Sequence, residues 1–228
     1  MTLADLWPAT AVRARAGDLE LRWPDDAVLL DLAELASRGV HAPDAMPFQV
    51  PWTRGTPREV ARSVLTYQWG VRGRVGPEAL QLELAVLVAG EPVGMQGAGG
   101  RDWAVLRTAE TGSWLGREHQ GRGIGSRMRA LMLELLFDGL DARAVTSGAW
   151  ADNGPSNAVS RRVGYLHDGD DEMVRDGRAT LHHRYRMTRE RWLEVRDANR
   201  RLLGAPVEMS GVRELRAELE RPGDGAGS

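Results

Sequence analysis

The sequence predicts an α/β protein, a mixed sheet with helices packed on it, and three observations carry that expectation. Leu82-Glu83-Leu84-Ala85-Val86-Leu87-Val88 is a short apolar run bounded by turn residues, and similar runs recur along the chain, as strands do. Between Glu110 and Ser126, in ETGSWLGREHQGRGIGS, a strand-like run gives way to glycines at every second position. From Ile124 the apolar spacing changes to three and four residues, the period of a helix. Another apolar run, Ala144 to Trp150, follows, and a strand–helix–strand crossover makes its two strands parallel.

The elements follow in order. Residues 1–17 read as a polar lead-in, and Leu19–Trp23 is a strand stopped by Pro24. Pro24-Asp25-Asp26 opens a helix with Val28, Leu32, Leu35 and Ala36 on its apolar face, ending near Gly39. From His41 to Thr56 the chain is irregular. Pro43, Pro47, Pro51 and Pro57 forbid regular structure there, yet Met46, Phe48 and Trp52 make it apolar; a pocket wall and a packed connector fit equally. A second helix starts at Pro57 and presents Val60, Val64, Tyr67, Gln68 and Val71. Leu82–Val88 and Val93–Gly97 form a hairpin about Ala89-Gly90-Glu91-Pro92.

Val105–Leu115 is the strand that leads into the glycine turn. The long helix beyond it is apolar along one face at Ile124, Met128, Leu131, Met132, Leu135 and Leu136. Asn153-Gly154-Pro155-Ser156 starts a short helix that Gly164 ends. Tyr165–Val174 and Thr180–Met187 are strands, and Thr188–Asn199 is a helix. From Arg200 the pattern is lost, so the expected domain is 1–199 with an extension, 200–228, whose end (222–228) reads as disordered.

Composition excludes several function classes. A chain of 228 residues with 42% apolar and 27% charged residues buries a real core. A net charge of −2 argues against binding nucleic acid by bulk electrostatics. With no cysteine, thiolate nucleophiles, disulfides and cysteine-held zinc are out. No apolar run is long enough to span a membrane, and the first residues lack a signal-peptide layout, so cytoplasmic residence is the expectation.

Glycines at the mouth of the long helix leave backbone N–H groups uncovered at the positive end of the helix dipole, a site for phosphate. A Walker loop needs a lysine after its last glycine, and all 30 basic residues here are arginine. The dinucleotide fingerprint needs a third glycine where Ser126 stands. A tight turn without a ligand stays open. Gln120-Gly121-Arg122-Gly123-Ile124-Gly125 fits a further pattern, Q/R-x-x-G-x-G/A, and so resembles the CoA-pyrophosphate motif of GNAT acyltransferases.

The resemblance extends over about residues 17–190. The element order, β-α-α-β-β-β-α-β-α-β-β, is that of the GNAT fold. Glu110-Thr111-Gly112-Ser113-Trp114-Leu115 is similar to the E-x-G-Y-W-L strand of the ribosomal-protein N-terminal acetyltransferase branch, with Ser113 in place of the tyrosine. Asn153, Ser156, Gly164 and Tyr165 match the block after the fifth strand. Residues 39–54 and 153–165 resemble an actinobacterial subgroup that includes succinyl transfer from succinyl-CoA.

The resemblance implies an N-acyltransferase that moves an acetyl or succinyl group from acetyl-CoA or succinyl-CoA to a small-molecule amine or a protein amino group, by direct attack in a ternary complex. A catalytically silent CoA-binding module on the same fold is the alternative. Trp114, Leu115 and Gly116 would line the pantetheine slot. Gln120, Gly121, Arg122, Gly123, Ile124, Gly125 and Ser126 would take the pyrophosphate, and Asn153 would bond to pantetheine or simply cap its helix. Glu110 is the candidate base, provided burial raises its proton affinity. Ser160 stands where relatives carry a tyrosine near the leaving sulfur. His41, Trp52 and Arg54 are candidates for the acyl pocket. His182 and His183, adjacent in a strand, point to opposite faces and make a poor metal pair. No metal, nucleic-acid or membrane partner is expected, and a homodimer is.

Overall fold

The computed structural model describes residues 1–221. A short helix, α1 (Leu3–Leu6), precedes the hairpin β1 (Arg13–Ala16) and β2 (Leu19–Arg22). Helices α2 (Asp26–Ser37) and α3 (Pro57–Val71) lead to the long hairpin β3 (Ala79–Val88) and β4 (Glu91–Arg101). A one-turn helix, α4 (Trp103–Leu106), then leads to β5 (Thr108–Leu115), α5 (Ile124–Glu134), β6 (Ala144–Trp150) and α6 (Gly154–Arg162). The chain closes with β7 (Leu166–Arg175), β8 (Arg178–Thr188), α7 (Arg189–Leu203), β9 (Val207–Ser210) and α8 (Val212–Leu219).

The nine strands of the described residues form one sheet in the order β7-β8-β6-β5-β4-β3-β2-β1-β9. Among the described residues only β5 and β6 pair in parallel, as the crossover through α5 requires. Alternation along β3 divides the core between the two faces. Leu80, Leu82, Leu84 and Val86 join the large cluster with α5, α7 and α8, whereas Ala85 and Leu87 pack with α2. Capping fixes the helix starts: Asp25 accepts from the Val28 N–H, and Thr56 with Glu59 forms a reciprocal box at α3.

The sheet and α7 hold α5 between them, so Arg129 and Glu134 are buried along with its leucines. Glu134 is compensated by a two-pronged pair with Arg200, at 2.8 and 3.0 Å. Beyond Glu134 the helix widens into a π turn, closed by Leu140 N–H on the Leu135 carbonyl at 2.9 Å.

Three expectations are corrected. The lead-in contains β1, whose Ala14 and Ala16 are fully buried; alanine alternating with arginine gave too weak an apolar signal. The strand read from Val105 starts at Thr108, because Asp102 and Arg107 turn through left-handed conformations around α4. The segment after Arg200 is not patternless. It completes α7, pairs β9 with β1, and buries Val212, Leu215 and Leu219 of α8 in the main core. Residues 222–228, read as disordered, lie outside the described residues.

Candidate active site

The two parallel strands fork. Their ladder runs from Thr108 opposite Ala144 to Thr111 opposite Ser147 and stops there. Each strand goes on pairing outward, β5 with β4 as far as Leu115 opposite Gly94, and β6 with β8 as far as Trp150 opposite His182. Gly112–Leu115 and Gly148–Trp150 therefore face one another across an opening without a backbone ladder between them. Backbone groups along such an opening need other partners. One is met from within: Gln96 Nε2 donates to the Gly112 carbonyl at 3.0 Å.

Arg129 of α5 spans the fork. Its Nη1 donates to Ser147 Oγ at 2.9 Å, Nη2 to Ser113 Oγ at 3.2 Å and Nε to Gln96 Oε1 at 3.3 Å. The residue is 3% exposed, and all three partners are neutral. Beside it the Tyr165 hydroxyl meets Thr111 Oγ1 at 3.0 Å, and burial pushes the phenol pKa up against the pull of Arg129.

Past the end of β5 the chain turns into α5. Gly116 lies hard on α2, where a Cβ would come within 2.4 Å of Leu35 Cδ1. Gly121 and Gly123 take left-handed conformations (φ +72° and +77°), and a Cβ on either would meet open space. Gly123 is the N-cap and has no side chain to cap with, so the N–H groups of Ile124, Gly125 and Ser126 lack a protein acceptor among the described residues. A bare helix start beside a fork in the sheet is a place for an anionic, elongated ligand.

The acetyltransferase (GNAT) domain family matches residues 18–166, more than half of the chain. The chain belongs to the GNAT acetyltransferase family. It is 32% identical over 96 residues to a Bacillus subtilis (strain 168) protein named ribosomal N-acetyltransferase YdaF, a match covering 42% of this chain and 50% of that one. The chain thus spans about half the length of that curated relative. Its fold is similar to Mycobacterium smegmatis RimJ, solved with CoA-disulfide, with TM-score 0.65, 23% identity and coverage of 87% of this chain and 94% of that one. It is also similar to RimL, the ribosomal L7/L12 α-N-protein acetyltransferase solved with CoA, with TM-score 0.56, 24% identity and coverage of 76% and 95%.

On this GNAT scaffold the glycine-turn residues sit together at the fork, as do Trp114, Leu115 and Gly116. Trp114 is half-buried against Trp52, with ring centroids 5.7 Å apart. Within the turn Arg122 is exposed, while Ile124 and Ser126 are buried. Gln120 holds the turn in place, donating through Nε2 to the Val40 and Leu115 carbonyls at 2.8 and 2.9 Å. Asn153 caps α6, its Oδ1 accepting from Ser156 N–H at 3.2 Å. Ser160 is 0% exposed, and its hydroxyl has no partner among the described residues.

The remaining side-chain candidates lie nearby. Glu110, whose candidacy as base was conditional on burial, is exposed on the α2 face of the sheet, because its neighbours Ala109 and Thr111 take the inward positions. Part of the acyl-pocket set already has partners within the chain. His41 bonds to the Ala42 carbonyl and Thr53 Oγ1 (2.7 Å each), Trp52 packs at a tilt against Phe48 with ring centroids 5.1 Å apart, and exposed Arg54 is paired with Asp176.

Sequence reading missed Arg129 here and took His182 only as half of a poor metal pair. Arg129 lies three positions before Met132 and seven before Leu136, on the apolar stripe itself, and that placement was the available signal. His182 is 5% exposed over Gly148, where a Cβ would stand 2.3 Å from its Cε1. Its Nε2 meets Gln49 Nε2 at 3.0 Å, and its ring packs edge-on to Trp150. Burial pushes the imidazole pKa below its usual value, against the opposing charges of Glu110 and Asp171.

Proposed function

We propose that this chain is an acyl-CoA-dependent N-acyltransferase that moves an acetyl or succinyl group to a primary amine by direct attack in a ternary complex. The observation that carries the reading is the fork between β5 and β6 opening onto the uncapped start of α5. CoA in the RimJ and RimL structures supports the donor class, and the names of YdaF and RimL support a protein amino group as acceptor.

In this reading the N–H groups from Gly121 to Ser126 hold the pyrophosphate, with Gln120 keeping the turn in shape. Pantetheine lies in the fork along Trp114, Leu115 and Gly116, and Asn153 bonds to it from the far side. The amine nitrogen forms a bond to the thioester carbonyl carbon, the oxyanion collapses and the C–S bond breaks; the proton that nitrogen then gives up passes through water to the departing sulfur, so the products are the amide and free CoA thiol. The ammonium proton leaves before attack. Exposed Glu110 draws the ammonium in, and water carries the proton away. Ser160 donates to the departing sulfur, and a water shares the proton transfer. A succinyl carboxylate would have to displace Asp176 from Arg54 or find Arg129.

The test is release of free thiol from acetyl-CoA and from succinyl-CoA with a panel of amines and N-terminal peptides. Thiol release that requires an amine supports the reading. CoA binding without turnover on any amine would leave the silent binding module instead.

A further inference from the structure

The β7–β8 hairpin brings His167, Asp170 and His183 together, and we propose that these three side chains bind a divalent transition-metal ion. The inference is independent of the acyl-transfer site.

The placement depends on an irregularity in the ladder. His167 lies opposite Tyr185 and Asp170 opposite His183, with a register shift between them. Residues three apart on a regular strand point to opposite faces. The extra residue, at Asp168-Gly169 with Gly169 at φ +108°, returns Asp170 to the face of His167. His183 shares that face, since its strand neighbour His182 points the other way, toward Gln49 and Trp150. A regular hairpin would have separated the three ligands.

The donor atoms converge. His167 Nε2 lies 2.7 Å and His183 Nδ1 2.6 Å from Asp170 Oδ1, and the three ligand atoms lie within 4.8 Å of one another. Tetrahedral ligands about 2.0–2.1 Å from a metal stand about 3.4 Å apart, so small side-chain rotations would open the two short contacts around an ion. His167 is 52% exposed and Asp170 39%, which leaves an entry path and room for water in the remaining coordination positions. Two imidazole nitrogens and one carboxylate suit zinc, cobalt or nickel over magnesium or calcium. The Arg184 guanidinium is engaged by Asp171 and the Asp168 carbonyl. Arg161, which reaches the Tyr185 hydroxyl, is a cation on the same face and weakens the site. β7 is the sheet's edge strand, so an ion here would pin that edge to β8.

The test titrates the metal-free full chain with zinc chloride by calorimetry and with cobalt(II) by absorbance. One zinc per chain is expected, with cobalt giving the d–d bands of a low-coordinate N/O site and ring NMR shifts confined to His167 and His183. Asp170→Asn and His167→Ala should each weaken zinc at least about tenfold while circular dichroism stays unchanged. Zinc should raise the melting temperature of the parent chain and not of Asp170→Asn, and excess magnesium should not compete. A parent chain that takes up no zinc, or variants that bind as tightly as the parent, would overturn the proposal.

Discussion

Arg129 Nη1 donates to Ser147 Oγ at 2.9 Å where the β5–β6 ladder ends, and the same guanidinium reaches Ser113 on the other strand. It thereby bridges the strands where backbone hydrogen bonds stop. A buried cation with only neutral partners is costly unless its geometry is well satisfied. The planar fork of donors on arginine meets that need, and a lysine ammonium cannot reach both serines. Arg129→Lys should therefore lower kcat/KM for acyl-CoA about tenfold and destabilise the chain by about 1–3 kcal/mol, the cost of orphaned buried polar groups. Steady-state kinetics with chemical denaturation checks this, and parent-like values in both would remove the bridging role.

At the helix start, charge and backbone strain can be separated. Gly123 needs a left-handed residue, and its Cβ direction opens into empty space. Asparagine and aspartate both tolerate that conformation, and they differ by one charge. Gly123→Asp should lose CoA affinity by at least about tenfold more than Gly123→Asn, from one like-charge contact. Equal losses in calorimetry would place the pyrophosphate elsewhere.

The turn, α5 and the crossover were legible because glycine and helical periodicity are local signals. Helix α8 and strand β9 were not, since β9 is held as an edge by its pairing with β1, a contact between opposite ends of the chain. Arg129 was hidden by its type. Only the sandwiching of α5 between sheet and α7 shows that an arginine on that stripe goes inward. The acyl-pocket candidates differ again: the sequence shows that Arg54 exists, and only the tertiary structure shows that it pairs with Asp176.

Ser160 offers a stability–activity split. Its hydroxyl is enclosed without a partner, so Ser160→Ala removes an unsatisfied polar group and should leave the melting temperature unchanged or raised. If the hydroxyl serves the leaving thiolate, kcat should fall about tenfold to a hundredfold with CoA affinity unchanged. Parent-like kcat would reduce Ser160 to packing.

The pH dependence of stability carries a signature of His182. Its folded pKa is lowered by burial, so folding favours the neutral ring. Glu110, Asp171, His183 and Arg184 are the charged or titratable groups acting on it, and the two carboxylates only partly offset burial. Below the unfolded value near 6.5 the unfolded chain binds a proton that the folded chain resists. Stability attributable to His182 is therefore full above about pH 6.5 and is lost as pH falls toward the folded pKa. Protonation also removes the lone pair that faces Gln49 Nε2. His182→Gln keeps a polar partner for Gln49 without a titrating group. Between about pH 7 and pH 5.5 the melting temperature of the parent should fall more steeply than that of the variant. Because every other carboxylate and histidine is common to both chains, the difference between the two curves isolates this ring. Parallel curves would mean that His182 is hydrated in solution and titrates as in the unfolded chain.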